Sequence, residues 1–255
     1  MADITSRYQG NVSDEGKMNW RGDQTTLVPG SQSILESSTV KLADLGSRKV
    51  VGDRVFRYAK AGDTIGAGFT VESGWETLTG LVAIGSTSNA PAGSKTFSVT
   101  AATAIVTDTY SGGYLICEAG ATDSNLGMVY GIKGNSTGPA AGTCLLSLYE
   151  PLKYVQKDTS TWSIFQNPYI NVHSAYTTAA CLGIAPIAVT TGDYFWLQTW
   201  GPAAVRGTAA IGDGLISSVS GKCTVVVASD PQMGIAVEAL SAAANFGMVF
   251  LTVLP

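Results

Sequence analysis

The sequence predicts an all-β protein: an extended N-terminal arm followed by one or two antiparallel β-sandwich or barrel units. Three observations lead there. Short runs of β-branched and aromatic residues recur at intervals of about a dozen residues or fewer, separated by Gly- and Asp-bearing turns. No clear helical period runs beyond two turns. The first 40 residues, with segments such as Tyr8-Gln9-Gly10-Asn11 and Arg21-Gly22-Asp23-Gln24, carry neither period. They are too many for a connecting loop within a compact domain.

Taken in order, residues 1–45 read as the arm. A short helical turn is expected near Val40–Leu45, stopped by Gly46. Residues 46–158 read as a first β unit. Val55-Phe56-Arg57-Tyr58-Ala59 alternates around charged positions, and Thr96–Thr100 alternates apolar with hydroxyl side chains. Gly113–Glu118 and Gly127–Lys133 flank an Ala119–Asn125 connection and predict a hairpin; Cys144–Tyr149 follows, ended by Pro151. Residues 159–255 read as a second β unit. Its strands fall at Gly183–Val189, Asp193–Thr199, Ala204–Ile211, Lys222–Val227, Gly234–Leu240 and Asn245–Val253, with Gly201-Pro202 and Gly212-Asp213-Gly214 as turns.

Composition narrows the function classes. Charged residues make up 13% of the chain, about half the usual share of ~25%, so the surface is polar mainly through hydroxyls and backbone. Residues 1–60 hold nine basic against seven acidic groups, and the remainder six against twelve. So acidic a body argues against nucleic acid, whose binding rests on neutralising phosphates. Cys117, Cys144, Cys181 and Cys223 show no metal-knuckle spacing and sit in apolar or small-residue runs, which predicts buried, reduced thiols. No apolar stretch follows Met1 and no run approaches membrane-spanning length. Synthesis in a reducing cytoplasm, with no membrane partner, is the expectation.

The sequence offers few candidates for a catalytic constellation. The single histidine, His173, has no acidic residue beside it in sequence and no nucleophile elbow accompanies it. Glu72 and Glu76 are four apart around Ser73-Gly74, a spacing that reads as a turn better than as a glycosidase pair. Asn135-Ser136-Thr137 matches a glycosylation sequon that only a secreted chain would use. The expectation is a protein that is not an enzyme and uses no cofactor and no metal.

The densest feature is Tyr194-Phe195-Trp196-Leu197-Gln198-Thr199-Trp200-Gly201-Pro202. Strand alternation puts Tyr194, Trp196 and Gln198 on one face and Phe195, Leu197 and Thr199 on the other. Both faces are largely apolar, which predicts a central strand; an aromatic platform for sugar around Trp196 and Trp200 is the functional alternative. This stretch is similar to a Y-x-W-x-Q-x-x-G-P pattern in structural proteins of marine and freshwater tailed bacteriophages, and Gly207 through Leu215 resembles the pattern that follows it there. Tyr110–Leu115, Tyr130–Lys133, Leu148–Pro151 and Asn167–Tyr169 match in the same order, as do Leu45–Arg48 and Val55–Ala59 at the entry from arm to body. The resemblance implies a virion structural protein. The reading that follows is a capsid decoration or cement protein on the capsid exterior, bound to the major capsid protein and forming a homo-oligomer, with a trimer as one arrangement. A tail or fibre component and a carbohydrate-binding host-attachment module are the alternatives.

The contact expected with a capsid is a basic seam. Lys41, Arg48, Lys49, Arg54, Arg57 and Lys60 face only Asp44 and Asp53 within twenty residues. Phe56 and Tyr58 share a strand face among these charges, either as apolar anchors for the partner or as part of the body's own core.

Overall fold

The computed structural model describes residues 32–74, 84–85, 90–101, 103–119, 124–157, 160–175, 181–226, 232–241 and 245–253. Glu76 and residues 1–31 of the expected arm lie outside this set. The described residues form an all-β chain of two antiparallel sheets, one of ten strands and one of six.

Strands β1 (Arg48–Val51), β2 (Arg54–Lys60) and β3 (Thr70–Glu72) begin the larger sheet. The smaller sheet contains β4 (Ile84–Gly85), β5 (Thr96–Ala101), β6 (Tyr114–Ala119), β7 (Val129–Asn135), β8 (Gly142–Leu148) and β9 (Thr161–Phe165). The chain then returns to the larger sheet with β10 (His173–Ser174), β11 (Cys181–Ile184), β12 (Tyr194–Arg206), β13 (Gly214–Ser218), β14 (Lys222–Val225), β15 (Gly234–Ala236) and β16 (Phe246–Thr252). The helical turn expected over Val40–Leu45 does not form; the chain bends there and turns at Leu45–Gly46, with Gly46 at φ +83°.

The order of strands corrects the sequential division at residue 158. One compact unit comprises residues 1–74 with 169–255, and the other is the intervening 75–168. The reason is long-range pairing: β2 lies beside β12, with Tyr58 opposite Trp196 and Phe56 opposite Gln198. The chain leaves the first unit after β3 and re-enters at β10, and these two strands are hydrogen-bonded neighbours, His173 opposite Glu72. Exit and return points this close are what an inserted domain requires.

In the second unit, alternation supplies the core. Leu115 and Cys117 of β6, Tyr130 and Ile132 of β7, and Leu146 and Leu148 of β8 point inward around Trp162. The ring of Phe97 meets Trp162 edge-on at 4.7 Å. The expected hairpin is present as β6 and β7, with Leu115 opposite Tyr130.

In the first unit, β12 is the spine. It pairs with β2, β11 and β16. Phe195 and Leu197 pack with Ala59 and Val71 on one face, while Trp196 packs with Phe56 and Tyr58 on the other, so both faces are apolar as the sequence predicted. Gly201-Pro202, read as a turn, instead lies inside a 13-residue strand. The register against β2 shifts between Gln198 and Trp200. Gly201 has φ +87° and its backbone passes so close to Asp53 that a Cβ would sit 2.5 Å from the Asp53 carbonyl oxygen. Gly201-Pro202 therefore continue the strand, in unbroken register with Leu251 and Phe250 of β16, just past a bulge at Thr199, since an extra residue bends a strand without ending it. Beyond the bulge, Ala203 and Val205 join a third cluster with Ile184, Val249 and Leu251.

Candidate functional site

The basic seam is built on the β1–β2 hairpin. Val51 pairs with Arg54, so Gly52-Asp53 is a two-residue loop, and Gly52 takes the positive φ (+63°) that such loops require. Lys49 then lies opposite Phe56 and Arg48 opposite Arg57. On β2, Arg54, Phe56, Tyr58 and Lys60 alternate onto one face. Each cation of this face sits over an aromatic ring: Lys49 Nζ is 5.0 Å from the centroid of Trp196, the Arg54 guanidinium 5.6 Å from Phe56, and Lys60 Nζ 5.7 Å from Tyr194. Cation–π attraction of this kind holds long basic side chains flat on an apolar surface.

Residues 32–47 cover that surface as a strap. Its anchor is Gln32, a polar residue buried almost completely. The Gln32 backbone carbonyl accepts from Trp196 Nε1 at 3.1 Å and from Lys49 Nζ at 3.0 Å. Its side-chain oxygen accepts from the Tyr58 hydroxyl at 2.7 Å, and its Nε2 donates to the carbonyls of Tyr194 (2.7 Å) and Glu36 (2.6 Å). Ser38 and Tyr194 exchange both backbone hydrogen bonds. Ile34 is buried with Phe56, Tyr58 and Trp196, and Ala43 and Leu45 pack against the same cluster. Burial pushes the Tyr58 phenol above its ordinary value, although the Leu42 amide that donates to its oxygen at 3.1 Å partly offsets this.

The seam is therefore divided between inside and outside. Phe56, Tyr58 and Lys49 are buried under the chain's own strap. Arg48 is exposed, Arg54, Arg57 and Lys60 are half-buried, and Lys41 is exposed and pairs with Asp44 at 3.0 Å. Arg57 reaches back to donate to the Gly46 carbonyl at 3.2 Å. The apolar groups that stand outward beside these cations are on the strap: Leu35 is 62%, Val40 62% and Leu42 50% exposed. Sequence reading missed both these residues and Gln32, because the strap has no secondary-structure period to mark which of its side chains turn inward.

Other expectations resolve differently. His173 does have an acidic neighbour, across the strands and not along the chain: Glu72 lies opposite both His173 and Cys181, so the three form a row over β10, β3 and β11. Desolvation pushes the Cys181 thiol up to about 12. The His173 ring is wedged between backbones; a Cβ on Gly62 would lie 2.6 Å from its Cε1. All four cysteines are free thiols, with Cys117, Cys144 and Cys223 buried. Asn135 of the sequon is buried, its Nδ2 donating to the carbonyls of Val106 and Ser136 and its Oδ1 accepting from the Tyr110 amide. Beside it an open depression of about 420 Å³ is lined by Asp108, Lys133, Ser136 and Ser147. Of the two indoles named for the alternative sugar platform, Trp196 is covered by Lys49 and Gln32, whereas Trp200 is half-buried beside Phe250. Among the described residues no group of three or more His, Cys, Asp or Glu is placed to hold a metal ion, and no helix is long and apolar enough to cross a membrane.

No family model matches the chain, and no curated protein and no solved structure matches it.

Proposed function

We propose that this chain is a non-enzymatic structural protein of a tailed-bacteriophage particle, a decoration or cement protein that binds the major capsid protein on the outside of the head through its N-terminal segment and acts as a homo-oligomer. The observation that carries the reading is the strap. A segment with no regular structure is clamped to the body at Gln32 and Ser38 and exposes three large apolar side chains, Leu35 and the Val40 and Leu42 that flank Lys41 in sequence. Three outward apolar residues on one segment, two of them flanking a lysine, suit a docking segment, which uses apolar anchors with charges at their rim. The ordered resemblance of Tyr194–Pro202 and the flanking motifs to phage structural proteins supports the virion setting.

The test is co-sedimentation with undecorated capsids over a salt series. Leu35→Asp with Leu42→Asp should abolish pelleting at every salt concentration. Reversal of Arg48 and Arg54 to Glu should weaken it mainly at low salt, because exposed charges govern encounter and are screened. Pelleting of both variants at the wild-type level would overturn attachment through the strap. Density at the tail and not over the capsid lattice, in electron micrographs of whole particles, would move the protein to the tail.

A further inference from the structure

Far from the strap in sequence, three neighbouring strands of the larger sheet turn an uncharged apolar face to solvent. On β16 the alternation is complete: Gly247, Val249 and Leu251 are buried, and Phe246, Met248 and Phe250 point out, 50%, 45% and 37% exposed. Phe250 lies between Pro202 of β12 and Ile235 of β15, which is 44% exposed. Met248 lies opposite Ala204, and its carbonyl accepts from the amide of Val237, 41% exposed. Trp200 extends the surface, meeting Phe250 edge-on at 5.8 Å. Two charges adjoin it: the Arg206 guanidinium lies 4.7 Å from the Phe246 ring at one end, and the Glu238 carboxylate accepts from the Met248 amide on the β15 side.

The geometry points to this face as the contact with a second copy of the same chain, arranged about a twofold axis that passes beside Met248. Two features select that occupant. The outward row of β16 reads aromatic, methionine, aromatic at two-residue steps, so it is nearly the same in both directions. A twofold axis at its centre sets Met248 against Met248 and each Phe246 against the other copy's Phe250, the self-complementary pattern an isologous interface needs. Sheets packed face to face interdigitate such rows at about 10 Å. The second feature is size. At 150–250 Å² for each large side chain, the outward fractions of these five residues come to roughly 400 Å². That is about half of the ~800 Å² one partner contributes to a stable interface, and homodimer interfaces are apolar over about 65% of their area with polar groups at the rim.

The inference rests on the homo-oligomer in the reading above and not on the capsid. Sedimentation velocity of the full chain should give a dimer, or a higher even-numbered oligomer, that dissociates on dilution. Met248→Lys and Met248→Glu should each sediment as a monomer with an unchanged melting temperature, and an equimolar mixture of the two should recover the wild-type mass, because the axis brings the two introduced charges together. Ile235→Lys, on the adjacent strand, gives the same reading should a Met248 variant disturb folding. A wild-type monomer or trimer, an oligomer indifferent to Met248→Lys, or a mixture that stays monomeric would overturn the proposal. A monomeric wild type that still pelleted with capsids would overturn this face alone and leave attachment through the strap standing.

Discussion

The indole Nε1 of Trp196 donates to the backbone carbonyl of Gln32 across 164 residues of sequence, at 3.1 Å. Through this contact and those of the Gln32 side chain, a segment with no strand or helix of its own becomes part of the first unit. Its removal should be felt as lost packing and as stranded polar groups. In Gln32→Ala, the Tyr58 hydroxyl and the carbonyls of Tyr194 and Glu36 lose a partner. A buried group left unsatisfied costs about 1–3 kcal/mol, so a loss of about 2–4 kcal/mol is expected in denaturant titration. Trypsin should then cut after Lys49, a bond that should resist it in the wild type, where Lys49 is buried in β1. Unchanged stability together with an unchanged digestion pattern would show that the strap is held by its apolar residues alone.

Lys49 and Arg48 are adjacent, and strand alternation gives them opposite consequences. Lys49 is buried beneath the strap with its ammonium on the Gln32 carbonyl and the Trp196 ring, whereas Arg48 is exposed. Lys49→Glu places a carboxylate against a carbonyl oxygen in a dry site and should destabilise the protein by at least about 3 kcal/mol. Arg48→Glu should change stability by no more than about 0.5 kcal/mol. Thermal melts of the pair decide it, and equal effects would contradict the inward placement of Lys49.

Gly201 and Gly52 both have positive φ but different surroundings. At Gly201 a Cβ would strike the Asp53 carbonyl oxygen, while at Gly52 nothing lies within 4 Å. Gly52→Ala should cost only the left-handed backbone penalty of about 1–2 kcal/mol, and Gly52→Asn less, since Asn tolerates that region. Gly201→Ala adds a backbone clash and should cost about twice as much or more. A milder effect at Gly201 than at Gly52 would mean that the bulge can slide.

Burial raises the thiols of Cys181 and Cys223 from 9.0 to about 12 and about 11. In the unfolded chain these thiols ionise near pH 9, while in the folded chain they stay protonated. Their contribution to stability is therefore fully present below about pH 9 and is lost as pH rises toward the folded values. Melting temperature should fall progressively from pH 9 to pH 12, and the double variant Cys181→Ala, Cys223→Ala should show a shallower fall, with Tyr58 and Tyr110, also raised by burial, supplying the remainder. Identical slopes for variant and wild type would assign the alkaline loss elsewhere.

The β class, the β6–β7 hairpin and the two apolar faces of β12 were legible along the chain, because alternation writes the inside and outside of a strand into consecutive residues such as Leu115, Ile116 and Cys117. The basic seam was legible as a composition, but not the division that buries Lys49, Phe56 and Tyr58 and leaves Arg48 outside. That division depends on the strap, which is held by the backbone of Gln32 and Ser38, by the Gln32 side chain and by the packing of Ile34, contacts with distant segments that leave no period along the chain. The insertion of residues 75–168 between β3 and β10, the placing of β2 beside β12, and the His173–Glu72–Cys181 row are likewise products of pairing between distant segments. Alternation states which face of a strand is apolar; which strand lies beside it is decided only when the whole sheet closes its hydrogen bonds and both cores fill.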